Sequence, residues 1–248
     1  MTRQDLRHQG EAMLRTLFGS AAQPAGLAHL LTEAVYGGIW TRPGLSIPDR
    51  LVCSIAALAV GPRLKALRRH IGAGLDHGLA AEAIREILVQ AALYSGFSAA
   101  EETLPLAGEM FAERGIQFPA DPPEDAPLEM LDQRGAALMA DLHGSRATQG
   151  YASPDNPVTG QLYPAAIRYG YGEIWSRPGL ERRQRALVAV AAFTALRLPE
   201  QAAKFGQSAL NTGLTKTQVI EAIIQTAPLT GFPPALNALG AISTAFTA

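Results

Sequence analysis

The sequence predicts an all-α fold made of two copies of one helical-bundle unit in tandem. Three observations carry this. The stretch Tyr36-Gly37-Gly38-Ile39-Trp40-Thr41-Arg42-Pro43-Gly44-Leu45 returns 135 positions later as Tyr171-Gly172-Glu173-Ile174-Trp175-Ser176-Arg177-Pro178-Gly179-Leu180. The register then holds without a gap until Leu104 meets Leu239; about twenty of some seventy aligned positions are identical, and so long a period fits a duplicated domain rather than a solenoid. Hydrophobic residues make up 48% of the chain and recur at helical spacing, whereas no stretch keeps the period-two alternation of a half-buried strand. The units are expected at 9–114 and 128–248, joined by a linker over 115–127.

Taken in order, residues 1–9 read as a frayed start, and Gln9 to Phe18 is the first apolar-periodic helix, stopped by Gly19. Leu27 to Trp40 is expected to be helical until Arg42-Pro43-Gly44 turns the chain. Ser46, Pro48 and Asp49 give the next helix an N-cap, a first-turn proline and a charge matched to its positive end. It runs to about Val60, Arg63 to His77 follows, and Gly78 is a C-cap residue. Ala81 to Tyr94 is amphipathic, and Ala99 to about Arg114 closes the first unit. The linker carries Pro119, Pro122, Pro123 and Pro127 among acidic residues and reads as stiff and polar. The second unit repeats the order through Glu129–Leu142, a longer loop over Gly150–Gly160, Gln161–Trp175, Gln184–Leu196, Glu200–Thr212, Lys216–Ala227 and Pro234–Thr247.

Composition narrows the function. A formal net charge of −1 gives no general attraction to nucleic acid or an anionic membrane. The polar N-terminus lacks the apolar stretch of a signal peptide, and Ala186–Leu196 is far too short to span a bilayer; a cytoplasmic protein is expected. A single cysteine, Cys53, forbids an intrachain disulfide and a Cys-x-x-Cys pair and reads as a small core residue. His70 and His77 share a helix but lie about 10 Å apart, too far for one ion, and no metal or other cofactor is expected.

The pattern Tyr-Gly-x-Ile-Trp-x-Arg-Pro-Gly-Leu, followed by Arg50 or Arg185 and an Ala-rich helix, resembles the carboxymuconolactone decarboxylase family. So do His70, Gly78-Leu79, Glu86, Gln90 and Gly96-Phe97, and the tail Gly231-Phe232-Pro233-Pro234-Ala235-Leu236-Asn237. The resemblance covers nearly the whole chain. It implies the alkyl hydroperoxidase D-like fold without the thiol pair of the peroxidase branch, since Gly61–Arg69 holds no cysteine. It further implies cofactor-free decarboxylation, or related acid/base chemistry, on a small carboxylated lactone or carbonyl compound. Self-association is implied as well, with a trimer of fused pairs as one form. Departures in the first unit's tail, Ser98-Ala99-Ala100-Glu101-Glu102, leave the substrate open. Two other readings stand beside this one: a cyclisation, isomerisation or hydrolysis on the same fold, and a non-catalytic scaffold of degenerate repeats.

Loss of CO2 leaves electrons that must spread into a carbonyl facing hydrogen-bond donors. A proton must then reach carbon from a group such as His, while Arg orients carboxylates through its bidentate fork. His70 is the expected acid/base group, with Trp40, Arg42, Arg50 and Tyr94 as substrate-binding candidates. Each has a structural alternative. Trp40 suits a packing anchor, Arg50 would pair with Glu86 as Arg185 would with Glu221, and His70 suits a core-capping role. Its repeat partner is Phe205 and that of Tyr94 is Leu229, so the second unit is expected to lack both groups.

Overall fold

The structure is a computed structural model and describes all residues except 21, 122–124, 151–152, 154–155 and 248. Among the described residues every regular element is helical. The first unit comprises α1 (Arg3–Phe18), α2 (Ala28–Leu30), α3 (Ile47–Ala59), α4 (Leu64–Asp76), α5 (Ala81–Ser95) and α6 (Ser98–Glu113). The second comprises α7 (Leu128–His143), α8 (Tyr163–Ala165), α9 (Arg182–Ala195), α10 (Pro199–Leu210), α11 (Lys216–Thr230) and α12 (Phe232–Thr247).

Two sequence expectations need correction. The N-terminus is not frayed, because the Thr2 hydroxyl accepts from the Asp5 amide and the Asp5 carboxylate accepts from the Thr2 amide, a capping box that starts α1 six residues early. The helix leading into the repeated motif is largely π-helical, over Leu31–Gly37 in one unit and Ala166–Glu173 in the other. Widened turns of this kind re-aim side chains and recur at functional sites. The described part of the linker is held to both units: Arg85 donates to the Ala120 carbonyl, Arg177 pairs with Asp121, and Phe118 packs on Phe111. Pro122 and Pro123, like part of the Gly150–Gly160 loop, lie outside the described residues.

The two units share one continuous core in which α3 packs against α9 and α11, and α5 against α9. The expected pairings within each unit are exchanged at this seam. Arg50 donates to Glu221 at 3.0 Å and to Gln225 at 2.9 Å, while Arg185 donates to Glu86 at 3.0 Å and to Gln90 at 3.3 Å. Arg42 grips Glu221 through two nitrogens, and Arg177 reaches Glu86. The Arg-Pro-Gly turn therefore lies over the other unit's glutamate. Gly44 has φ 106°, and a Cβ there would sit 3.1 Å from Glu221 Cγ, a position only glycine fills without strain.

The Tyr-Gly pair of the motif has a separate task. A Cβ on Gly172 would lie 2.1 Å from the Leu131 carbonyl oxygen, and one on Gly37 equally close to that of Leu6. Bare backbone is what lets α7 and α1 lie against the π-helical segments. Gly172→Ala is expected to cost about 1–3 kcal/mol through overpacking. Gly240→Ala, with open space around the new methyl, should be neutral or slightly stabilising. Chemical denaturation of the two variants checks the contrast; equal stability would contradict it.

Candidate active site

Where each unit's first helix meets its motif, four rings gather. In the first unit Tyr36 stacks on Trp40 at 6.3 Å between centroids, and His70 lies 6.2 Å from Trp40 and 5.6 Å from Phe18. In the second, Tyr171 stacks on Trp175 at 6.2 Å, and Phe205 lies 6.1 Å from Trp175 and 5.1 Å from His143. The imidazole and the phenyl ring have changed places. His70 on α4 answers Phe205 on α10, while Phe18, the last residue of α1, answers His143, the last residue of α7. The expectation that the second unit lacks the imidazole is thus corrected, since it supplies one from a different helix. The helix ends align because Gly19 and Gly144, both at positive φ, terminate α1 and α7. That register is 125 positions, ten fewer than in the rest of the repeat.

The environments of the two imidazoles differ. His70 is buried; its Nδ1–H donates to the Ala66 carbonyl at 2.9 Å and its Nε2 has no partner. Burial holds its pKa down at about 4. The groove beside it is walled by Phe18, Arg69 and Ala73 rather than by His70, with the Arg69 guanidinium 3.7 Å from the Phe18 ring centre. Because His70 is neutral when folded, its burial stabilises the protein fully above pH 6.5. That contribution falls away as pH drops through 6.5 toward 4, where the unfolded chain binds the proton first. Wild type should therefore lose about 2–3 kcal/mol more than His70→Phe between pH 7 and pH 4.5. Equal losses in denaturant titrations would refute this.

His143 lines an open cavity of about 290 Å3, together with Met139, Arg146, Tyr163, Tyr171, Lys204 and Phe205. Its Nδ1 lies 2.7 Å from Ser208 Oγ and its Nε2 2.9 Å from the Tyr171 hydroxyl. Ser208 spends its hydrogen on the Lys204 carbonyl and accepts from Arg146. Nδ1 must then carry the imidazole proton, leaving the Nε2 lone pair to accept from Tyr171. Burial first, and the Arg146 guanidinium second, hold the His143 pKa down at about 4, so the ring is neutral at pH 7. Two cations, a neutral imidazole and a phenol in one recess can bind a carboxylate and move a proton.

The expected site residues divide three ways. Trp40 stands with His70 in the closed first cluster. Arg42 and Arg50 converge on Glu221 at the seam. Tyr94 crosses into the second unit, where its oxygen accepts from Trp175 Nε1 at 2.9 Å and from Gln90 at 3.0 Å, and its ring packs 4.5 Å from Phe193. It braces the wall of the second site from behind. Sequence reasoning missed His143, Arg146, Tyr163 and Lys204; the matching Gly19 and Gly144 stops were the signal that could have placed His143 opposite Phe18. Cys53 is fully buried with its pKa pushed up by burial.

Comparison with known proteins agrees with this architecture. The model of the carboxymuconolactone decarboxylase family matches residues 25–109 and 160–244. The 4-carboxymuconolactone decarboxylase of Acinetobacter baylyi is 30% identical over 88 residues, 36% of this chain and 66% of that protein. Nitrosuccinic acid decarboxylase of Metarhizium robertsii is 24% identical over 120 residues, 48% of this chain and 84% of that one. A crystal structure described as a gamma-carboxymuconolactone decarboxylase subunit from Burkholderia xenovorans superposes with a TM-score of 0.55 at 21% identity, covering 97% of both chains. Among the described residues no helix is long and apolar enough to cross a membrane.

Proposed function

We propose, for a chain that belongs to the carboxymuconolactone decarboxylase family, that it decarboxylates a small organic acid in the cavity of the second unit. The single observation that carries this is the hydrogen-bonded His143–Tyr171 pair opening onto a recess that also holds Arg146 and Lys204. Both relatives are named as decarboxylases. The names denote acids with an electron-withdrawing group, a lactone carbonyl in one and a nitro group in the other. In this reading Arg146 and Lys204 hold the oxygens of the acceptor group, where negative charge develops. The leaving carboxylate faces Met139 and Phe205, whose apolar surface favours neutral CO2 over the anion. The C–C bond pair passes into the acceptor group and CO2 departs. Tyr171 gives its proton to the carbanionic carbon, and a solvent proton returns to Tyr171 by way of His143. Sulfur has no part in it.

The test is to incubate the purified protein with carboxylated butenolides, β-keto acids and α-nitro acids while following CO2 release. Release from at least one class, abolished in Arg146→Gln/Lys204→Gln, is expected; silence across all three refutes the proposal. A second reading puts the chemistry at His70, favoured by its unpartnered Nε2, with Trp40 as its neighbour.

A further inference from the structure

An open groove of about 650 Å3 runs along the first unit between α1, α4 and α6. Its floor is apolar and buried, made by Leu17, Gly72, Ala73 and Met110. Its rim is basic, with Arg15, Lys65, Arg68, Arg69 and Arg114 against one acidic lining residue, Asp76. Carboxylates neutralise three of these cations: Glu11 pairs with Arg15, Glu109 and Glu113 with Arg68, and Asp76 with Arg114. Lys65 and Arg69, one turn apart on α4, have no carboxylate partner among the described residues, and Arg69 lies over the Phe18 ring. The fold does not require this charge. At the equivalent positions of the second unit stand Ala140 for Arg15, Glu200 for Lys65 and Ala203 for Arg68. Nor does the fold require the opening. Gln207, which replaces Gly72, donates to the Ala245 carbonyl and ties α10 to α12. Asn211, which replaces Asp76, donates to the Leu142 carbonyl and ties α10 to α7. One scaffold is thus bridged by amides in one unit and left open and cationic in the other.

We infer that this groove is a binding site for a phosphate monoester, separate from the recess at His143 and independent of the reaction there. Lys65 and Arg69 stand roughly 6 Å apart at their Cβ atoms. Two unneutralised cations at that spacing match a head group carrying about −1.5 to −2 charges on one centre. The planar guanidinium of Arg69 offers two parallel donors to phosphate oxygens, and Lys65 adds a point charge. The organic part of the ester lies along the floor over Gly72 and Ala73, toward Met110. A dicarboxylate of the same total charge splits it between two ends and leaves the apolar floor unused.

Isothermal titration with phenyl phosphate, inorganic phosphate and succinate at low ionic strength tests this without turnover. Phenyl phosphate should bind about fivefold tighter than either of the others, as covering roughly half of a phenyl ring implies. Lys65→Glu installs the second unit's residue, which would pair with Arg69 at i,i+4, and should weaken phenyl phosphate at least about tenfold. Lys65→Gln should act in the same direction. Arg197→Glu, an exposed charge reversal on the other unit, should change the affinity less than about twofold. Gly72→Gln fills the floor and should bring phenyl and inorganic phosphate to within about twofold of each other. The atoms that a new Cβ meets there, Arg114 Nη2 at 3.3 Å and Met110 Cε at 3.4 Å, end flexible side chains that can give way. No binding of phenyl phosphate, equal binding of succinate, or wild-type affinity in both folded Lys65 variants would overturn the inference. So would an equal loss in Arg197→Glu, or a phenyl advantage that survives Gly72→Gln.

Discussion

His143→Gln is expected to lower kcat/KM by a factor of about 10^2–10^4, the usual range for a positioned acid/base group, while His70→Gln leaves it within about threefold. The contrast follows from surroundings rather than residue type, because both rings are neutral at pH 7 and held at about 4. Only His143 lines the cavity and reaches the Tyr171 hydroxyl. Tyr171→Phe should approach the same loss, since it removes the proton donor yet keeps the ring stacked on Trp175. The pH profile is the sharper readout. Protonation silences the imidazole, so kcat/KM should hold down to about pH 4 and fall below it. Arg146→Gln removes the positive charge that helps depress the pKa, and should move that acid limb upward toward 6.5. The reverse pattern, with loss in His70→Gln and none in His143→Gln, would transfer the site to the first unit.

The helices were legible mainly from apolar spacing, helped locally by a capping Ser46 before α3 and by stopping glycines such as Gly19 and Gly144. Tyr36–Leu45 and its echo gave the duplication directly. The partners across the seam were not legible for a reason inherent in duplication. If Arg50 can pair with Glu86, the equivalent position Glu221 offers the same chemistry at the same register, and only packing of α3 on α11 decides. His143 was hidden by a different device. The gapless alignment starts at Tyr36, and the helix before it sits at another offset because the loop between α7 and the motif is longer. Read at one offset, His70 opposite Phe205 looks like a loss; read at the helix ends, the pair Phe18 and His143 restores it. A second pair confirms the shorter register: Arg7 pairs with Glu33 in the first unit, and Asp132 with Arg168 in the second, the charges exchanged and the bond kept. The widened π-turns left no signal in apolar spacing.

Glu221→Ala should be the most destabilising change outside the hydrophobic core. Arg50 is 1% exposed and Glu221 4%, so removing the carboxylate strands a buried guanidinium that water cannot reach. Breaking such a pair costs about 3–5 kcal/mol, which for a chain of this length lowers Tm by roughly 10 °C. Glu86→Ala should match it, because Arg185 is equally buried against a glutamate from the other unit. The pair Arg15–Glu11, with both side chains exposed, sets the contrast, and its removal should cost no more than about 0.5 kcal/mol. Desolvation, not attraction, dominates the buried case, so Arg50→Met combined with Glu221→Leu should recover most of the loss. That recovery is the discriminating measurement. If the single variants lose under about 1 kcal/mol in denaturant titration, or the double variant falls as far as Glu221→Ala alone, the seam is not held in the way its geometry implies. A large single loss with recovery would also explain why the two halves stay in one chain, each unit leaving in its partner a buried cation that only the other can neutralise.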